Sequence, residues 1–77
     1  MDGFEAQQRY ASLMKSIEAL ETERKRQAAM ADDLQRGGHS AAAVRAQHML
    51  ASLEASLAGF RARKAELEAQ LADASAE

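Results

Sequence analysis

The side chains here that could do chemistry are two histidines, a scatter of serines and two short basic runs. Histidines hold a metal when further ligands join them at a matching spacing. His39 and His48 stand nine residues apart, and no carboxylate lies three or four residues from His48. The pair therefore reads as surface or interface histidines. There is no cysteine, which removes disulfides and thiolate metal sites. A nucleophilic serine needs a matching base, and the serines here are read as having none. The chain is expected to be no enzyme, with no metal, no cofactor and no small-molecule substrate. The basic runs are Arg24-Lys25-Arg26 and Arg61-Ala62-Arg63-Lys64. Glu18, Glu21 and Glu23 precede the first, and Glu66 and Glu68 follow the second. Both read as solvated helix faces. Lys and Arg total 10 against 12 Asp and Glu, a net charge of −2. That balance makes no electrostatic case for nucleic acid or an anionic membrane.

With no reaction centre, function has to lie in the surfaces of the elements that carry these residues. The chain has 77 residues, so it forms one domain with a modest core. It contains no proline, and its bias towards Ala, Leu, Glu, Arg and Gln is that of long helices and coiled coils. Met1-Asp2-Gly3-Phe4-Glu5 lacks a basic start and an apolar run, so no signal peptide is expected. No apolar stretch approaches the ~20 residues of a membrane span.

The centre of the chain is Leu34-Gln35-Arg36-Gly37-Gly38-His39-Ser40. Gly37 is expected to take the left-handed conformation that closes a helix, Gly38 to let the chain reverse, and Ser40 to cap the next helix through its hydroxyl. The fold class that follows is all-α, an antiparallel two-helix hairpin resembling a coiled coil. Helix 1 is placed at about 3–36, the turn at 37–40, helix 2 at about 41–71 and a frayed tail at 72–77. Asp2 with Glu5 forms a capping-box pattern. The pairs Glu5–Arg9 and Glu21–Lys25 suit i,i+4 ion pairing, worth ~0.2–0.5 kcal/mol each. Asp32 and Asp33 oppose the dipole at the end of helix 1, and Arg36 offsets them.

Tyr10, Leu13, Ile17, Leu20, Ala31 and Leu34 recur at spacings that put them on one face of helix 1, with Arg24 and Gln27 filling the gap. The seam of helix 2 is Ala43, Ala46, Leu50, Leu53, Leu57, Phe60, Lys64, Leu67 and Leu71. Closing the chain at the glycines brings Leu34 near Ala41 or Ala43, Leu20 near Leu53 or Leu57, Leu13 near Phe60, and Tyr10 near Lys64 and Leu67. Phe4 is then expected to cover Leu71 at the open end. Such a hairpin would be roughly 45–50 Å long at ~1.5 Å per residue.

One packed face is thin support for two helices of this length. A second stripe runs along helix 2: Val44, His48, Ala51, Ala55, Ala58, Ala62, Ala65 and Ala69. It lies roughly 130° round from the leucine seam at ~100° per residue. The stripe is free of charge, whereas helix 1 carries Lys15, Glu18, Thr22 and Lys25 at the equivalent positions. Met49 and Met30 near the turn, with Met14, add adaptable apolar surface. Val44, His48, Met49, Ala51, Ala55, Ala58 and Ala62 are therefore the candidate residues for docking a partner or a second copy.

Arg36-Gly37-Gly38, followed after fourteen residues by Leu53-Glu54-Ala55-Ser56-Leu57, resembles the second half of the YscE-like proteins of bacterial type III secretion. The similarity spans about residues 34–60. It implies a short two-helix hairpin that pairs with a TPR-like chaperone in the bacterial cytoplasm, the two together keeping a needle subunit unpolymerised until export. The expectation from a different class is a self-associating structural coiled-coil or helical-bundle module.

Overall fold

A computed structural model describes residues 2–76, with side chains over residues 3–74. Two helices, α1 (Asp2–Arg36) and α2 (Ser40–Ala76), pack against each other as an antiparallel hairpin, and there is no strand among the described residues. With no proline in the chain, nothing interrupts either helix.

The seam follows a seven-residue rhythm from end to end. In α1, residues 3, 6, 10, 13, 17, 20, 24, 27, 31 and 34 are all buried or half-buried. In α2 the same holds for residues 43, 46, 50, 53, 57, 60, 64, 67 and 71. A strict alternation of three and four keeps one stripe of each helix against the other. Ile17, Leu57 and Leu67 form the buried centre, with Leu57 only 1% exposed. Near the turn the buried residues are Ala31, Ala43 and Ala46. Small side chains there suit the close approach that a three-residue connection imposes. Ala43, rather than the exposed Ala41, is the alanine drawn into the seam by Leu34's end of the hairpin.

The turn departs from expectation in two ways. The His39 N–H donates to the Leu34 carbonyl at 2.9 Å, and the Gly38 N–H donates to the Gln35 carbonyl at 3.2 Å. This pair of bonds is a Schellman motif, in which the residue past the C-cap must be left-handed. That residue is Gly38, with φ of 79°, not Gly37. Gly37 still makes an ordinary helical bond to the Asp33 carbonyl at 2.9 Å. The ring of His39 folds over it, so that a Cβ at residue 37 would stand 3.1 Å from His39 Cδ2. The second departure concerns Ser40, which lies inside α2 rather than before it. The Ala43 N–H donates to the His39 carbonyl at 2.9 Å, making His39 the N-cap residue. The Schellman turn uses one residue fewer than expected, and the helix starts before the serine can cap it.

Three further differences concern the ends and the surface. The helical backbone continues through residues 72–76, past the expected stop at 71, because alternate alanines there favour helix and no breaker intervenes. The molecule accordingly measures 59 × 15 × 13 Å, longer than expected. Phe4 does not cover Leu71 and is 66% exposed. The seven-residue rhythm carried back from Tyr10 reaches Ala6 and Gly3, and Phe4 falls one position outside it. The Asp2 side chain and Glu77 lie outside the described residues.

Candidate docking surface

The ordered helix α2 holds its second stripe outward along the whole hairpin. Val44, His48, Ala51, Ala55, Ala58, Ala62, Ala65 and Ala69 are all exposed. The spacing of four and three that aligns them matches that of the buried seam, so the two stripes run parallel on opposite sides of α2. Val44 keeps 47% of its surface in water and Met49 53%. Met49 is one residue past His48 and so about 100° round the helix from it. It broadens the apolar surface at the turn end, together with the exposed Met30, rather than continuing the stripe. On α1, Lys15, Glu18, Thr22 and Lys25 are exposed and polar. The hairpin is therefore two-faced: charged on the back of α1, uncharged along the back of α2.

Ion pairs on the flanks differ from those the helical spacing suggests. Glu5 does not pair with Arg9, nor Glu21 with Lys25, among the described residues. Glu21 instead accepts from Arg61 across the hairpin at 2.7 Å. An exposed cross-helix partner in reach displaces the intrahelical one. Arg26 pairs with Glu23 at 3.2 Å, and Lys64 with Glu68 at 3.4 Å. Half of the basic side chains in the two runs, Arg26, Arg61 and Lys64, are thus matched by carboxylates of the same hairpin. Arg36 bridges Asp32 and Asp33 at the end of α1, as the dipole argument requires.

The open end of the seam holds a polar latch. The Tyr10 hydroxyl donates to Glu68 Oε2 at 2.9 Å. This bond raises the phenol pKa above its ordinary value, since ionisation would set two anions together. Glu68 is lowered, first by that same hydrogen bond and then by the one from Lys64. Sequence reasoning brought Tyr10 to Lys64 but missed Glu68, one turn further along and reachable only across the hairpin. Another polar seam position, Gln27, is 8% exposed and donates from Nε2 to Glu23 at 2.9 Å.

His39 and His48 stay apart, one at the turn and one on the outward stripe, and no cluster of His, Cys, Asp or Glu among the described residues could hold a metal ion. No described helix is long and apolar enough to cross a membrane. Sequence reasoning also missed a groove of about 430 Å³ between the helices near the open end. The chain matches no protein-family model, no curated protein and no solved structure. Seam, turn and outward stripe together define the class: an all-α antiparallel hairpin, coiled-coil-like within and two-faced without.

Proposed function

We propose that this chain is a small helical co-chaperone or adaptor, of the kind its likeness to the YscE-like proteins implies. In this reading the back of α2 docks on a TPR-like chaperone in the bacterial cytoplasm, and the pair keeps a needle subunit unpolymerised. The observation that supports it is the uncharged outward stripe of α2, exposed from Val44 to Ala69 while the back of α1 is charged. Small side chains let a second helix backbone approach closely. A superhelical repeat surface is built from helices that accept another. Nothing in the seam competes for this face, because the seam residues are already turned inward.

The experiment is co-expression of the chain with the TPR-like chaperone and needle subunit of its own genome. The expected result is a stable heteromeric complex that holds the needle subunit monomeric at concentrations where it otherwise polymerises. Needle polymerisation unaffected by the chain would contradict the reading.

A further inference from the structure

We propose that the groove near the open end receives Phe4 of a second copy of this chain. The two sides of the hairpin are unlike. On one side, residues one step after a seam position reach across and close it, as Arg61 does to Glu21 and Glu68 does to Tyr10. On the other side, the residues one step before a seam position include Arg9, Ser16 and Arg63. The groove of about 430 Å³ lies there, its apolar lining formed by Leu13, Phe60 and Leu67. Ser16 is too short to bridge the gap. Arg9 and Arg63 stand at the groove without an ion-pair partner among the described residues, and Glu66 is the one carboxylate that lines it. The Arg63 guanidinium lies 5.7 Å from the centroid of the Phe60 ring and half-roofs the apolar floor.

The occupant this site fits is a large apolar side chain beside a carboxylate. The same molecule displays one: Phe4, the most exposed large apolar side chain among the described residues, followed by Glu5. Phe4 cannot reach the groove of its own chain, because α1 is continuous from Asp2 and its own wall of the groove begins further along that helix. In a second copy, Phe4 enters the apolar floor and Glu5 meets Arg9 or Arg63. Phe4 follows the seam position Gly3 and so lies on the side opposite the groove, and a protrusion on one side with an unfilled pocket on the other makes a head-to-tail contact between copies. This contact uses neither the outward stripe of α2 nor the partner proposed for it, so either proposal stands or falls alone.

The test is sedimentation equilibrium from about 10 µM to 1 mM, the range suited to a small interface with one anchor. The wild-type chain is expected to rise above its monomer mass of 8.3 kDa. Phe4→Ala is expected to weaken association about thirtyfold, the loss of one buried aromatic anchor. The double change Arg9→Glu with Arg63→Glu is expected to weaken it comparably. All three substituted positions are exposed, so circular dichroism should show unchanged helicity. Mixing the two variants should restore association, because each keeps the half that the other lacks. A wild-type chain that stays monomeric throughout would overturn the proposal. So would a Phe4→Ala chain that associates as the wild type does, or a mixture that fails to recover.

Discussion

The two adjacent glycines are chemically identical and structurally different. Gly38 is left-handed with open space where a Cβ would be, so Gly38→Ala carries a purely conformational cost of about 1–2 kcal/mol. Gly37 is not left-handed, and an alanine there is crowded by the edge of the His39 ring, which can swing aside, and makes an ordinary contact with the Asp33 carbonyl at 3.4 Å. Thermal melts should therefore rank Gly38→Ala clearly below Gly37→Ala; equal losses would refute this assignment of the turn. The glycine pair was legible as a turn, but which glycine reverses the chain depends on two backbone bonds that residue types do not specify. Gln27 is a second case. A leucine at this buried seam position should raise stability by about 1 kcal/mol, since a polar layer holds register at a cost in stability. An unchanged or lowered midpoint would show that the bond to Glu23 outweighs apolar packing. At the open end, Tyr10 and Glu68 make stability depend on pH at both extremes. Glu68 is depressed in the fold, so its contribution is present above the usual glutamate range near ~4.3 and fades as pH falls through the lowered value. Tyr10 is raised, so its contribution is present below ~10 and fades as pH rises through the raised value. Glu68→Gln should remove the acid arm and weaken the alkaline one, while Tyr10→Phe should remove the alkaline arm and leave the part of the acid arm that Lys64 supplies, read as melting temperature against pH.

At the scale of the element, the two helices were legible because their apolar residues keep one rhythm. Every seam residue from Tyr10 to Leu34 and from Ala43 to Leu71 is buried or half-buried. The ends were less legible. A rhythm says which face is inward but not where the backbone stops, and alanine at the end of α2 sustains helix without any packing signal. Cross-helix pairs such as Arg61 with Glu21 were hidden for a related reason: helical spacing names neighbours on one helix, while the register between two helices decides neighbours across them. Leu57 is the test of the packed seam. Fully enclosed at the middle of α2, it should cost about 2–5 kcal/mol on change to alanine. Ala55→Glu, two residues away on the outward stripe, should change the melt little. Similar losses at both positions would mean that the outward stripe is also buried.

As a whole molecule, the hairpin is two helices thick and 59 Å long, with three alanines among its buried apolar residues. So slender a core leaves little margin once the entropy of two long helices is met. Binding to any partner that prefers the folded hairpin then raises its midpoint in proportion to the logarithm of partner concentration. The adaptor role proposed above would draw on this coupling. The outward stripe is both the least charged face and the one the seam leaves free. The measurement that bears most directly on that claim is calorimetric titration of the TPR-like chaperone with three forms of the chain. These are the wild type, Ala55→Glu with Ala58→Glu on the back of α2, and Lys15→Glu with Thr22→Glu on the back of α1. Tight binding is expected from the wild type and the α1 variant, and a loss beyond detection from the α2 variant with helicity unchanged. Binding that survives on the α2 variant and fails on the α1 variant would contradict it.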